Sequence, residues 1–433
     1  MLRQKTPTIS VLTLGCKLNQ ADSEVIARRL AANGVRVLDR AVPGAAAFVI
    51  NSCSVTHVAD RKARHLVRMA RRLSPNADIV LTGCYAETGP ADIAEQTGAD
   101  AVLPNAAKAW IPDRLLARLR ERGDPSAGCP TFIRGDLRTR AFIKIQEGCN
   151  ELCAFCIVPY TRGRETSVPI DRIVAEVRAR EADGVQEVVL TGTQLGNYGR
   201  DTEEPEQGPR RLLEALLERT SVPRIRLSSL QAQDISPALL DLWTDLRLCP
   251  HFHLPLQSGS DPVLKRMRRR YTGDDYRRAV ALVRGRVPDV AITTDVIAGF
   301  PGESTSDFEA TIGLCREIGF AAIHAFPYSR RPHTSAALMR GHLSAPVRRA
   351  RVETLLQLGC ESSLAFRRHF LDRTMQVLWE ERRRGRWQGL TGNYIRVYSS
   401  DPGNLSNRLL PTQLAAVEDE GMAGLTGVLA GTL

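Results

Sequence analysis

The chain has 433 residues, 43% of them hydrophobic and 25% charged, with a net charge of +11 and ten cysteines. That balance excludes a disordered or fibrous protein and fits a soluble one of two or three domains. Its apolar runs fall short of the roughly 18 residues a membrane span needs, and the amino terminus has no secretory apolar core, so the expectation is a cytoplasmic protein without membrane association.

In chain order, residues 8–14 read as a strand, 21–33 as a helix and 46–51 as a second strand. A basic helix is expected over 57–73, strands at 78–82 and 100–104, and a helix near 111–121. Such alternation predicts a parallel sheet covered by helices, here residues 1–125. "RGDPSAGCPTFIRGD" reads as a linker, placed at 126–137. Beyond it, in a unit of residues 138–370, strands are expected at 141–146, 187–191, 224–229, 251–256, 291–298 and 321–327. Helices fall between them near 170–182, 211–219, 237–246, 274–286 and 305–318. Six β-α units rather than eight predict an open, partial TIM-type barrel with a wide mouth. Over 372–433, "TMQVLWEE", "RWQGLTG" and "NYIRVYSS" are short β-type segments between turns, the pattern of a small nucleic-acid-binding barrel. The fold class is therefore α/β with a carboxyl-terminal β-barrel.

The positive excess attracts polyanions, nucleic acid first. In a reducing compartment, clustered cysteines indicate metal or redox chemistry rather than disulfides. "GCNELCAFCIVPYTRG" (148–163) carries Cys149, Cys153 and Cys156 in the spacing C-x-x-x-C-x-x-C. A structural zinc site needs four ligands, and the candidates to complete one, His251 and His253, lie far downstream within an expected strand. A 4Fe–4S cluster held by three thiolates leaves one iron open instead. Placed after the strand "AFIKIQEG", this spacing resembles that of the radical S-adenosylmethionine (SAM) superfamily, in which the open iron chelates SAM's amino and carboxyl groups.

A second set is visible without any family. Cys16, Cys53 and Cys84 each follow one of three strands of the first unit. In a parallel sheet the carboxyl ends of strands share one edge, where ligands bind. The three should converge and form a second three-thiolate cluster site. Cys129, Cys249, Cys315 and Cys360 have no such placement and read as packed or idle thiols.

"LTGTQLGNYG" puts Thr191, Gly192 and Thr193 at the end of the second barrel strand, where backbone groups suit SAM's ammonium. "TTDVIAGFPGE" puts Gly299 and Gly302 after another strand, suited to backbone contact with adenine. Arg162 and Arg164 follow the cysteine loop, either solvated or paired with SAM's carboxylate or a substrate phosphate. The basic run closing residues 251–272 reads either as a solvated helix face or as a phosphate contact. In the tail, Arg382, Arg383, Arg384 and Arg386 interleave with Trp387 and Tyr394. Arginines neutralise phosphates and aromatic rings stack on unpaired bases, so RNA contact is expected there. The basic helix at 61–72 extends that surface.

"TLGCKLNQADSE", "NSCSVT", "LTGCYAE", "GCNELCAFCIVPYTRG", "HLPLQSGSDPVLKRMRR" and "TTDVIAGFPGE" together resemble, in order, the signatures of the radical SAM methylthiotransferase family. The resemblance implies an auxiliary 4Fe–4S cluster on Cys16, Cys53 and Cys84, and a SAM-binding one on Cys149, Cys153 and Cys156. It also implies a carboxyl-terminal TRAM-like domain that grips the substrate, and an electron donor such as flavodoxin or ferredoxin. "GCKLNQADSE", "RIRLSSL" and "AFPYSRRPHTSAALM" are most similar to the branch acting on N6-threonylcarbamoyladenosine next to the anticodon of tRNA (position 37). Relatives modify isopentenyladenosine in tRNA or an aspartate of a ribosomal protein. The implied chemistry is reductive cleavage of SAM to a 5′-deoxyadenosyl radical that activates adenine C2, with sulfur from the auxiliary site and the methyl group from a second SAM. After "RG" the family often has Arg-Ser; here Thr166 precedes Ser167, so Thr166 is assigned no substrate contact. Outside the family, a non-catalytic zinc-stabilised RNA-binding protein would use the same cysteines and basic barrel. The sequence leaves the oligomeric state open, a monomer included.

Overall fold

The computed structural model describes residues 6–123, 139–202 and 208–426. The first unit is built on β1 (Thr8–Thr13), β2 (Arg36–Leu38), β3 (Ala47–Ser52), β4 (Asp78–Gly83) and β5 (Ala101–Leu103). These pair in parallel in the order β2-β1-β3-β4-β5. Helices α1 (Lys17–Ala31), α2 (His57–Leu73), α3 (Cys84–Thr88), α4 (Ile93–Thr97) and α5 (Ile111–Glu121) connect them. Every residue of β3 and β4 is buried, as a parallel sheet covered on both faces requires. Ile26, Leu30, Leu115 and Leu119 close one face, and Ala63, Val67 and Ala70 of α2 the other. The remaining face of α2 carries arginines to solvent.

The second unit begins with β6 (Arg140–Lys144), the short hairpin strands β7 (Gln146–Glu147) and β8 (Thr166–Ser167) around α6 (Val158–Arg162), and α7 (Ile170–Ala182). It continues through β9 (Glu187–Thr191), α8 (Pro209–Arg219), β10 (Arg224–Leu227), α9 (Pro237–Leu240) and β11 (His251–His253). It ends with α10 (Asp261–Arg266), α11 (Gly273–Arg286), β12 (Ala291–Ala298), α12 (Thr305–Ile318), β13 (Ala322–Pro327) and α13 (Ala345–Arg368). β10-β9-β6 and β11-β12-β13 are two three-stranded parallel sheets. The Ile225–Leu248 bridge joins them, with the Ile225 N–H donating to the Arg247 carbonyl at 2.7 Å. The result is an open arc of six strands, as expected. Along the β6 side it is met by α1, whose Ala21 packs on Phe142 and Val189.

Three details depart from the sequence reading. The strand expected over 251–256 ends at His253, ahead of Pro255, which has no N–H for the ladder. The helix expected over 237–246 breaks after Leu240 into the 3₁₀ turn Asp241–Thr244. Helix α13 was not anticipated. Only Leu355, Leu358, Gly359 and Arg367 of its 24 residues are buried, too thin a stripe to read as an amphipathic pattern. The linker 126–137 and Cys129 lie outside the described residues.

The third unit is a closed barrel of β14 (Thr374–Arg383), β15 (Arg386–Thr391), β16 (Arg396–Ser399), β17 (Arg408–Glu418) and β18 (Gly421–Thr426), in the order β14-β15-β16-β18-β17. It is docked on the lower rim of the six-stranded arc. Arg224 donates to the Leu390 carbonyl (2.9 Å) and Arg226 to that of Gly392 (2.8 Å), while Glu187 holds Arg226 from beneath at 2.8 and 3.1 Å. No described helix is long and apolar enough to cross a membrane.

Candidate active site

Cys16 stands between β1 and α1, Cys53 follows β3, and Cys84 opens α3 after β4. β1, β3 and β4 are adjacent in the sheet, so the three thiols share one edge. Gly15 is required there. It adopts φ +104°, and a Cβ on it would lie 2.6 Å from Cys53 Cβ and 3.1 Å from its sulfur. Burial, then the neighbouring Cys84 and Cys16 sulfurs, pushes the Cys53 thiol up to about 11.

Cys149, Cys153 and Cys156 lie on the loop between β7 and α6. Gly148 at φ +75° brings Cys149 in under residue 164, and a Cβ there would sit 1.9 Å from the Arg164 carbonyl oxygen. Cys149 N–H donates to the Gly163 carbonyl (3.1 Å) and Cys156 N–H to that of Cys153 (3.1 Å). Burial and the adjacent thiols push Cys149 up to about 11 and Cys156 up to about 12. Arg269 turns inward from the basic run and donates to Cys153 Sγ (3.3 Å), Gln231 Oε1 (2.6 Å) and the Tyr271 hydroxyl (3.2 Å). The sequence reading gave that run no role at the cysteine loop.

A shared charge network joins the two units that carry the thiol sets. Arg162, its side chain 3% exposed, pairs with Glu147 (2.5 Å) and Asp22 (3.5 Å), hydrogen-bonds Asn19, and feels the charges of Cys84 and Cys16. Asp22 also holds Lys108 and Lys144, each at 2.7 Å. Burial opposes ionisation of Asp22, but Lys108, Lys144 and Arg162 hold its carboxyl at about 2. Arg162 is thus a buried clamp, while Arg164 is exposed. On the other flank, Arg331 ties the loop after β13 to Asp60 (2.8 Å) and Ser54 (2.7 Å), next to Cys53. A cavity of about 670 Å³ opens between the units, lined by Cys153, Cys156, Tyr160 and Arg268 and by His57 of the first unit. That volume is in the range of small-molecule and cofactor sites.

At the end of β9, the Thr193 N–H donates to Gln146 Oε1 (2.9 Å), and the Thr193 hydroxyl is buried with no partner among the described residues. Gly192 packs on Gln146, and the Thr191 carbonyl accepts from Ile145 (2.9 Å). The N–H groups of Gly299 and Gly302 are taken by Glu303 (2.5 Å) and the Gly341 carbonyl (2.8 Å), so neither is free to donate to an adenine. His251 and His253 do not join the cysteines. Instead His253, Asp295 and His324, on β11, β12 and β13, bring three donor atoms within 4.8 Å of one another.

Two expected RNA contacts are corrected. Trp387 is 8% exposed in the barrel core and donates to the Gly403 carbonyl (2.9 Å). Tyr394 stacks on His251 (4.7 Å between ring centroids), lies under the Arg226 guanidinium (4.6 Å) and accepts from Arg140 (3.4 Å). It plugs the base of the six-stranded arc and offers no face to a base. Arg386 is engaged by Glu418 (3.0 and 2.6 Å), whereas Arg382, Arg383 and Arg384 stand exposed on the β14–β15 turn.

Residues 143–315 match the family model described as the Radical SAM superfamily, and residues 8–104 the one described as Uncharacterized protein family UPF0004. The threonylcarbamoyladenosine tRNA methylthiotransferase MtaB of Thermotoga maritima is 33% identical, with 96% of this chain and 96% of that protein covered. The MtaB of Bacillus subtilis is 32% identical over 94% and 93%. The tRNA-2-methylthio-N(6)-dimethylallyladenosine synthase of Maricaulis maris is 31% identical over 96% and 97%. Among solved structures, the radical SAM methyltransferase TsrM of Kitasatospora setae superposes with a TM-score of 0.54 at 14% identity, covering 76% of this chain and 75% of that one, a likeness of fold alone. With a match of this identity over nearly its whole length, the chain belongs to the radical SAM methylthiotransferase family, transferases that work with a 4Fe–4S cluster and SAM.

Proposed function

We propose that this enzyme converts N6-threonylcarbamoyladenosine next to the anticodon of tRNA (position 37) to its 2-methylthio derivative in the cytoplasm, with a flavodoxin- or ferredoxin-type electron donor. The observation that carries the reading is the pair of three-thiol sets on two units tied together through Arg162, with Cys153 and Cys156 of one set lining a cavity that His57 of the first unit also lines. Cys149, Cys153 and Cys156 would hold the SAM-binding 4Fe–4S cluster, and Cys16, Cys53 and Cys84 an auxiliary one. Each set offers three thiols, one short of a closed zinc site, and His251 and His253 are engaged with Thr293 instead, which favours a cluster with one open iron over the zinc-stabilised alternative.

When bound, these groups supply the electron that cleaves SAM and the sulfur to be inserted. The chain's own residues orient and enclose. Arg269 donates to the Cys153 sulfur and fixes the loop. The unpartnered Thr193 hydroxyl, with Thr191 and Gly192 beside it, supplies the polar contact for SAM's methionine part. The Asp22–Arg162 network keeps the two sulfur sets at a fixed separation. Arg382, Arg383 and Arg384 supply phosphate contacts from the barrel turn. Replacing these three by glutamine is expected to weaken binding of an anticodon stem-loop and lower the slope of log Kd against log salt by about 2. An unchanged slope would place the RNA elsewhere.

The decisive measurement is mass spectrometry of tRNA nucleosides from a host lacking, then regaining, this gene. The expected result is a restored 2-methylthio-threonylcarbamoyladenosine peak. Restoration of the methylthio-isopentenyl nucleoside instead, or of neither, would replace this reading with the isopentenyladenosine or ribosomal-protein branch.

A further inference from the structure

Resting on the tRNA reading above, we infer that His333 and Tyr160 form a stacking platform for an unpaired anticodon-loop base beside the target adenosine, with Arg268 and Arg330 placed for the adjoining phosphates. The first sign is a local strain. After β13 the chain makes the turn Arg331–Pro332–His333–Thr334, closed by the Thr334 N–H donating to the Arg331 carbonyl at 3.4 Å. Proline suits the second place of a type II turn, and the third needs a positive φ that glycine or asparagine ordinarily supplies. Here the third place is His333, at φ +66°. A larger side chain strains the backbone there, and such strain gathers at ligand-holding sites. What it secures is a ring: His333 is exposed, and its ring centroid lies 5.4 Å from that of Tyr160, itself 58% exposed on α6.

Arg268 is presented by the same kind of backbone. It holds the left-handed place that ends α10, at φ +58°. Its N–H donates to the Lys265 carbonyl (3.0 Å) and that of Arg269 to the Leu264 carbonyl (2.9 Å), the helix ending in which glycine is usual. The turn sends Arg269 inward to Cys153 and leaves Arg268 exposed.

His333, Tyr160, Arg268 and Arg330 all line the cavity of about 670 Å³ on whose wall Cys153 and Cys156 lie. No carboxylate lines it, and among the described residues neither the Arg268 nor the Arg330 side chain has an ion-pair partner. A base that reacts at those cysteines has to descend into the cavity, so its neighbour in the strand passes over the rim. That neighbour brings a flat face and a phosphate, and the rim offers ring faces and free guanidinium groups. An acidic electron-transfer protein would also meet the two arginines, but it would give the ring pair nothing to stack on.

The test compares three anticodon stem-loops on the anaerobically iron-loaded protein: one intact, and two with an abasic nucleotide just before or just after the target adenosine. His333→Gly should bind the intact stem-loop about tenfold more weakly, the worth of one base–ring stack. Its urea midpoint should match or exceed that of wild type, because glycine relieves the turn. His333→Asn, which the turn also accepts, should bind as weakly, whereas His333→Phe keeps a ring and should stay near wild type. One abasic stem-loop should bind wild type and His333→Gly equally, since the missing base and the missing ring belong to one contact. Undiminished affinity in His333→Gly overturns the inference. So does a loss accompanied by a lower urea midpoint, or a tenfold ratio that persists on both abasic stem-loops. A His333→Gly protein that binds RNA as before but is reduced more slowly by flavodoxin, the protein-partner outcome, overturns it as well. The parent reading fails on a different readout: a methylthio-isopentenyl nucleoside in the complemented host would replace it and leave these binding ratios standing.

Discussion

Cys153→Ala is expected to abolish SAM cleavage, and Cys53→Ala to end methylthiolation while cleavage continues uncoupled. The division follows from the fold. Cys153 sits on a loop fixed by its own backbone hydrogen bonds and by Arg269, all within the second unit. Cys53 belongs to the edge of the first sheet and takes no part in those bonds. Loss of one thiolate from either set should leave the other set loaded, so iron falls from about eight to about four per chain in both variants. The readouts are 5′-deoxyadenosine release, methylthio product by mass spectrometry and iron content. Equal cleavage by the two variants would contradict separate duties for the two sets.

The cysteines were legible because strand ends are legible. A hydrophobic run followed by Gly-Cys or Ser-Cys fixes where a side chain sits on a parallel sheet, whatever the rest of the chain does. The open six-stranded arc followed from counting such runs. Arg162, Arg269 and Asp22 were not readable in the same way. Each is one charged residue among many, and its partner lies as far as 143 positions away, chosen by packing between units. Trp387 and Tyr394 were misread for a reason present in the sequence. On β15 alternate residues point inward, and Trp387, Gly389 and Thr391 share the buried phase, so period two already placed the indole inside. Tyr394 lies past the end of that strand, in a turn at φ +70°, where no periodicity speaks. Composition suggested a stacking platform; geometry made both rings part of the scaffold.

That scaffold is most exposed to test at Asp22. Asp22→Asn is expected to destabilise the junction of the first two units by about 3 kcal/mol, because it strands buried cations rather than merely deleting a pair. Lys108 and Arg162 have side chains 8% and 3% exposed, and the asparagine that replaces their shared partner carries no charge. By contrast, Glu121→Gln, which breaks the exposed pair with Arg118, should change stability by less than about 0.5 kcal/mol. The pH dependence has a fixed sign. The folded carboxyl titrates at about 2, below its ordinary value of 3.8, so its contribution is fully present above that ordinary value and is lost as pH falls through the folded one. Urea midpoints of wild type and Asp22→Asn should therefore differ by a constant amount from pH 8 to about pH 5 and converge only below about pH 4. A gap that closed near neutrality would assign the effect to another titrating group. Because α1 carries both Asp22 and, at its start, Lys17 beside Cys16, loosening it should also lower methylthiolation more than SAM cleavage. That asymmetry separates a junction that sets the distance between two sulfur sites from one that only adds stability.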